Sequence, residues 1–230
     1  MKIAVIGTGS VGQTIGSKLL ELNHDVMLGT RNVSEKLANN IKDKNGTQPI
    51  SEWLSANSKA KLGTFSEAAA FGDIIINATN GSNSVKALIL AGAKNLRGKV
   101  LIDVANPLDF SNGMPPSLLQ GLNNTNSLAE EIQKTFPDAQ VVKTLNTMWA
   151  GLMVNPNLIG NGDHVNFICG NSPQAKSKVQ KLLNQMGWQN ENIMDLGDLT
   201  SARATESVLH IWLRIMGVVK GGVFNFKIVK

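Results

Sequence analysis

The opening KIAVIGTGSVGQTIGSKLLELNHDVMLGT, residues 2–30, leaves the chain little choice of fold. Lys2–Ile6 is apolar and rich in β-branched residues, the composition of a strand covered on both faces. Gly7, Thr8, Gly9, Ser10, Val11 and Gly12 follow as a glycine-rich turn. In a dinucleotide-binding unit the first glycine permits the tight turn and the second lets the backbone approach a pyrophosphate. The third lets the following helix pack closely on the strand. Val11, Ile15, Leu19 and Leu22 recur at helical spacing, which predicts a helix over 11–22 with Asn23 as its C-terminal cap. A phosphate would then lie against free N–H groups at the positive end of the helix dipole. Three glycines alone could serve only a turn; the buried strand before them and the amphipathic helix after them give the motif its meaning.

The second strand ends at a telling position. Thr30 lies 18 residues beyond Gly12, near the ~20 at which a NAD-binding unit places an acid on the ribose hydroxyls. A carboxylate there would repel a 2′-phosphate. Thr30 and Asn32 can instead donate hydrogen bonds, and Arg31 can fork two N–H groups onto phosphate oxygens. Lys36, one turn into the next helix, adds a second positive charge. Arg31 could also be a plain solvated turn residue, but its placement predicts NADP(H) rather than NAD(H).

Strand and helix signals keep alternating. A helix is expected from Ser34, a strand near 60–64, and a short helix over 66–71 with Ser66 as N-cap. Strands follow at 73–79 and 99–107, with a helix over 85–93 between them. A helix around 127–136 precedes a strand at 140–143. This alternation implies right-handed crossovers and a Rossmann-type, doubly wound parallel sheet. After about residue 145 the pattern changes to a helix at 147–154, a strand at 165–170 and a helix within 171–188. Ser172 should cap that helix, Pro173 open it and Gly187 stop it. A last helix should run over 199–217, capped by Asp198 or Thr200. The expectation is a nucleotide domain over residues 1–145 and a small C-terminal α/β domain over 146–230, which borders a groove and makes dimer contacts.

In such sheets ligands sit beyond the carboxyl ends of the strands. The strand ends here carry Ala78, Thr79 and Asn80, and Ala105, Asn106 and Pro107, whose amides and backbone could orient a nicotinamide and its ribose. Asn80, Asn106 and Pro107 are equally good turn formers. What the sequence lacks narrows the chemistry. With no tyrosine among 230 residues, a Tyr-and-Lys proton donor is excluded. His24 and His210 look structural or interfacial, and His164 is the one histidine expected near a cleft. No His, Cys or acid cluster has metal-ligand spacing, and nothing resembles an activated nucleophile, so no catalytic side chain is assigned. A hydride passed between two planar molecules needs little beyond stacking and alignment, and this poverty of acid–base groups favours it.

Composition excludes other classes. Hydrophobic content of 42% and charged content of 17% fit a globular protein. The net charge of +5 is scattered rather than gathered in a basic block, so no nucleic-acid partner is expected. The segment 207–219 carries His210 and Arg214 and is too short to span a bilayer, so no membrane is expected. It reads as a buried or interfacial helix. The single Cys169 excludes an internal disulfide, and no signal peptide is read ahead of the first strand; both suggest the cytoplasm. Arg203 and Glu206 are one helical turn apart and could pair or reach an interface. Trp149, Trp188 and Trp212 are expected in the core or at dimer contacts.

GTGSVG, GTRN with the following SEK, DVANPL (103–108), VVKTLNT (141–147), GDHVNFICGN (162–171), DLGDLTSARATE (195–206) and the terminal FNFKIV together resemble the NADP-dependent oxidoreductases of the deazaflavin coenzyme F420. Relatives of that domain also form the reductase portion of membrane metalloreductases. The resemblance implies a Rossmann domain with a small C-terminal domain, a homodimer, and hydride transfer in a groove between the domains. It implies that Thr30, Arg31 and Lys36 take the 2′-phosphate. The DVANP and KTLN segments would border the nicotinamide and the second substrate, with Asn146, Thr147 and Met148 lining the substrate groove. Alternatives left open are another acceptor (a flavin, a quinone, an imine or a metal) and a non-catalytic NADP(H) sensor.

Overall fold

A computed structural model describes residues 1–43 and 46–229. Its strands are β1 (Lys2–Ile6), β2 (Asp25–Thr30), β3 (Lys61–Thr64), β4 (Ile74–Asn77) and β5 (Val100–Asp103). They continue with β6 (Leu108–Asp109), β7 (Ser117–Leu118), β8 (Gln140–Thr144), β9 (Asn166–Gly170) and β10 (Ile193–Asp195). The helices are α1 (Ser10–Glu21), α2 (Val33–Ala38), α3 (Ile50–Ala56), α4 (Phe65–Phe71) and α5 (Gly81–Ala91). Then come α6 (Ala93–Leu96), α7 (Leu128–Thr135), α8 (Ala150–Val154), α9 (Pro173–Gln185) and α10 (Ala202–Val219).

Eight strands form one sheet in the order β3-β2-β1-β4-β5-β8-β9-β10. From β3 to β8 every pairing is parallel. The chain leaves β1 toward β2 and β3 on one side and returns to β4 on the other, so the order reverses between β1 and β4. That switch point is where a doubly wound sheet opens a crevice for a ligand.

Both faces of the sheet are buried, which explains why the strands read as continuous apolar runs. Along β1, Ile3 and Val5 join a core with Ile15 and Leu19 of α1, Trp53 of α3, and Leu182 and Leu183 of α9. Ala4 and Ile6 face the opposite core, with Ala68 of α4, Leu88 of α5, and Leu128 and Ile132 of α7.

The segment beyond residue 145 does not build a sheet of its own. β9 pairs antiparallel with β8, and β10 pairs parallel with β9. The expected boundary at 145 therefore falls inside one continuous sheet, between β8 and β9. Hydrogen bonding explains it: β8 would otherwise be an open edge, and β9 covers its backbone groups.

Several local expectations shift. The cap of α4 is Thr64 rather than Ser66, in a capping box with Glu67. The helix expected at 85–93 starts at Gly81, with Asn80 as its cap. Only residues 150–154 of the expected helix at 147–154 are helical. Ser172 and Pro173 open α9 as expected, and Asn23 after α1 takes a left-handed φ of 59°.

Candidate functional site

At the carboxyl ends of β1, β2 and β4 lies a cleft of about 770 Å³. Its wall brings together Gly7, Thr8 and Gly9 of the glycine turn, Thr30, Arg31, Asn32 and Lys36 after β2, and Ala78, Thr79 and Asn80 after β4. Phe65, Lys86, Ala87 and Leu90, which sequence reading did not single out, complete one side. They come from α4 and α5, elements whose placement only the folded sheet decides.

The glycine turn divides into residues the protein needs for itself and one it does not. Gly7 has φ +123°, and a Cβ there would sit 2.5 Å from the Ala78 carbonyl oxygen. A Cβ on Gly12 would sit 2.3 Å from the Gly7 carbonyl oxygen, so this glycine lets α1 lean onto the end of β1. At Gly9 a Cβ would meet nothing within 4 Å. Gly9 is the N-cap of α1 and supplies no side-chain cap, so the first N–H groups of this helix lack the usual side-chain acceptor. An open backbone cradle ahead of uncapped amides is the local chemistry of a phosphate site. Gln13 steadies the turn from behind, donating to the Thr8 and Gln48 carbonyls at 3.1 and 3.0 Å.

At the far end of the cleft, Arg31, Lys36 and Lys86 stand against the single carboxylate of Glu35. Among the described residues none of the three cations is in an ion pair. Asn32 spends its side-chain oxygen capping α2, accepting from the Glu35 N–H at 3.1 Å, which leaves its amide NH₂ as donor. Thr30, Arg31 and Lys36 therefore fit the phosphate chemistry expected of them.

The other predicted residues do not all reach this cleft. Ser10, Val11 and Gly12 begin α1 behind the turn. Ala105, Asn106 and Pro107, with Asn146, Thr147 and Met148, lie outside the cleft wall. Asn146, Thr147 and Met148 are buried. The two asparagines bond to each other: Asn106 Nδ2 donates to the Asn146 carbonyl at 2.7 Å, and Asn146 Nδ2 donates to Asn106 Oδ1 at 2.9 Å.

Beneath these strand ends is a charged cluster that sequence reading missed. Lys143 on β8 is wholly buried, with its ammonium 2.8 Å from Asp103 of β5 and 2.8 Å from Glu206 of α10. Glu206 also accepts from the Leu128 and Ala129 N–H groups at 2.9 and 3.2 Å, closing the N-terminus of α7. The surface pairing considered for Arg203 and Glu206 is thus wrong, because Arg203 instead pairs with Glu130 at 2.6 Å. The available signal was one lysine inside an apolar strand. Burial alone would lower the pKa of Lys143, yet Asp103 and Glu206 outweigh it and hold the ammonium above its ordinary value. The Glu206 carboxyl is held above its ordinary range, chiefly by burial, with Lys143 opposing.

From Asp103 the network runs back to the cleft. Asn77 donates to Asp103 Oδ1 at 2.8 Å, and Thr79 on the cleft wall donates to Asn77 Oδ1 at 2.7 Å.

Other candidate groups are occupied elsewhere. His164 is buried; Asn225 Nδ2 lies 2.7 Å from its Nδ1 and the Pro156 carbonyl 2.8 Å from its Nε2. This is a structural position away from the cleft. His24 contacts Gln185 at 2.9 Å, and His210 is exposed. Burial pushes the Cys169 thiol up to about 12, so it stays protonated and unreactive near neutrality. Trp188 and Trp212 are core residues, whereas Trp149 is 42% exposed. Among the described residues no group of three or more His, Cys, Asp or Glu could hold a metal ion, and no helix is long and apolar enough to cross a membrane.

The cluster makes a stability prediction. Lys143→Met strands two buried carboxylates and should cost about 3–5 kcal/mol in denaturant unfolding. Glu206→Gln leaves the Lys143–Asp103 pair intact and should cost clearly less. A carboxyl held above its ordinary value binds a proton more readily when folded. Stability therefore falls as pH rises from the ordinary carboxylate value through the raised one. That downward slope should be absent from Glu206→Gln.

Comparison with known proteins agrees with this geometry. The family described as NADP oxidoreductase, coenzyme F420-dependent, matches residues 2–107. A crystal structure from Arthrobacter sp. FB24, provisionally assigned as an F420-dependent NADP reductase, is 48% identical with a TM-score of 0.94, each chain covered over 100%. The metalloreductase STEAP3 of Rattus norvegicus is 27% identical over 209 residues, 90% of this chain but 36% of that protein. The chain thus spans about a third of that relative's length. An imine reductase from Myxococcus stipitatus, solved with NADP+, is 17% identical with a TM-score of 0.61 over 96% of this chain and 64% of its own, a likeness of fold alone. On the match to the Arthrobacter protein along the whole chain, this protein belongs to the coenzyme F420-dependent NADP oxidoreductase family and is an NADP(H)-dependent oxidoreductase.

Proposed function

We propose that the protein passes a hydride between NADPH and a planar small-molecule acceptor, with the deazaflavin coenzyme F420 as that acceptor. The observation that carries the reading is the cleft joining the open cradle at Gly9 to the unpaired cations Arg31 and Lys36. In this reading the α1 amides hold the pyrophosphate, Thr30, Arg31, Asn32 and Lys36 hold the 2′-phosphate, and Ala78–Asn80 border the bound chain. Ala105–Pro107, at the end of β5, would border the nicotinamide end, with the buried Asn146 behind them bonded to Asn106. The coenzyme supplies the hydride when bound; the acceptor gains it and takes its proton from solvent. The residues at these strand ends offer amides, hydroxyls and apolar groups but no side chain that titrates near neutrality. A mechanism in which the protein only aligns two planar rings therefore suits them. An imine or carbonyl acceptor would need a placed proton donor.

The reading includes a homodimer in the cytoplasm. The homodimer is supported by the apolar side chains that the last half of α10 and the tail leave open, among them Ile211, Val218, Val219, Val223 and Ile228, each at least half exposed.

Three measurements test this reading. Arg31→Ala should lower NADPH affinity about tenfold or more while leaving NADH affinity nearly unchanged, as expected for a lost charge-assisted fork. An unchanged NADPH/NADH ratio would refute the 2′-phosphate assignment. Gly9→Ala should fold with stability within about 0.5 kcal/mol of the parent and yet bind NADPH poorly, whereas Gly12→Ala should lose stability through its clash with the Gly7 carbonyl. In stopped-flow absorbance, bound NADPH should be oxidised by F420 and not by free flavins or quinones. Oxidation by a flavin or quinone alone would move the assignment to that acceptor, and tight binding without turnover would mean a sensor.

A further inference from the structure

Besides linking β5 and α10, the buried Lys143 reaches a backbone carbonyl at the end of β5. With the 2′-phosphate end at β2 and the pyrophosphate at β1, a dinucleotide continuing in the same direction passes over the end of β4 and arrives at the end of β5. Each step is one strand spacing of roughly 4.8 Å. The nicotinamide end would then fall at the residues that follow Asp103, the segment Ala105–Asn106–Pro107.

This segment is held from several sides. The Ala105 N–H donates to Asp103 Oδ1 at 3.2 Å, and the Ala105 carbonyl accepts from Lys143 Nζ at 2.5 Å. Asn106 is bonded in both directions to Asn146. A Cβ on Gly81 would lie 2.0 Å from the Asn106 carbonyl oxygen, so α5 closes on the segment as near as backbone can. Asp103 also receives Asn77, which holds Thr79 on the cleft wall.

Burying an ammonium and two carboxylates costs several kcal/mol per ion, and an apolar set of similar volume is often as stable. Stability gives no reason for a lysine here; a fixed Ala105 carbonyl does. Resting on the NADP(H) reading above, we propose that Lys143 is a positioning residue for hydride transfer. Its ammonium grips the Ala105 carbonyl and so fixes the Ala105–Pro107 segment against which the nicotinamide ring is aligned. Lys143 is fully buried and acts only through that backbone.

The test replaces the whole cluster at once. Asp103→Asn with Lys143→Met and Glu206→Gln leaves no unpaired buried charge at these positions, so the variant should fold, as circular dichroism would verify. Calorimetric titration should give an NADPH Kd within about threefold of the parent, because the adenosine and pyrophosphate contacts are untouched. The fluorescence anisotropy of the bound dihydronicotinamide should drop toward that of free NADPH. Single-turnover transfer to F420 should slow about tenfold or more, the usual consequence of misalignment. Glu206→Gln alone keeps Nζ on Ala105 and should retain the parent's anisotropy. A folded triple variant with the parent's anisotropy overturns the proposal, and so does an equal loss in Glu206→Gln. If the triple variant does not fold, Lys143→Met with Asp103→Asn decides, because Glu206 keeps its two N–H partners there; unchanged anisotropy in that variant counts against the proposal. Failure of the parent to bind NADPH at all would instead defeat the cofactor reading, and this inference with it.

Discussion

One ammonium group organises the part of the molecule that the glycine motif does not reach. Lys143 joins β5 through Asp103 and α10 through Glu206, and Glu206 in turn closes the first turn of α7. Strands β5 and β8 and helix α10 thus meet at a single buried charge. A buried cation with two carboxylates is tolerable only when every group finds its partners, so the arrangement admits little variation in geometry. The strand ends above it inherit that rigidity, through the Ala105 carbonyl on one side and the Asn106–Asn146 pair on the other.

Beside these rigid strand ends, the cleft itself holds groups without internal partners. Gly7 and Gly12 are demanded by close packing inside the protein, whereas the space at Gly9 and the unpaired Arg31 and Lys36 have no internal use. Groups without an internal use at a topological switch point are what a ligand with phosphates would complete. The chemistry is correspondingly spare. Histidines are engaged in structure or exposed, and the lone thiol is held protonated by burial, which supports the proposed mechanism of alignment.

Much of this was legible in the chain. The turn glycines, the helix behind them and the absence of an acid at Thr30 obey local rules of backbone geometry and charge, and such rules act over a few residues. Ser172 and Pro173 at the head of α9 belong to the same category. The departures came from one competing local cap and from segments distant in the chain. Ser66 looked like a cap, but Thr64 could complete a box with Glu67. Arg203 and Glu206 looked like a possible surface pair or, by preference, interface residues, but each has its partner within the chain, Glu130 and Lys143. The segment after 145 looked independent because its pattern changed, yet β9 lies along β8.

The sequence by itself determined the nucleotide unit and the positive charge that follows its second strand. Both are written in contiguous residues whose conformational and electrostatic preferences do not wait for the rest of the chain. Only the tertiary structure decided that Asp103, Lys143 and Glu206 share one site, that Lys86 and Leu90 stand at the cleft, and that the last strands extend the same sheet. The physical reason is that ion pairing, burial and strand pairing are properties of proximity in space, and residues 40 or 63 positions apart carry no local mark of being neighbours.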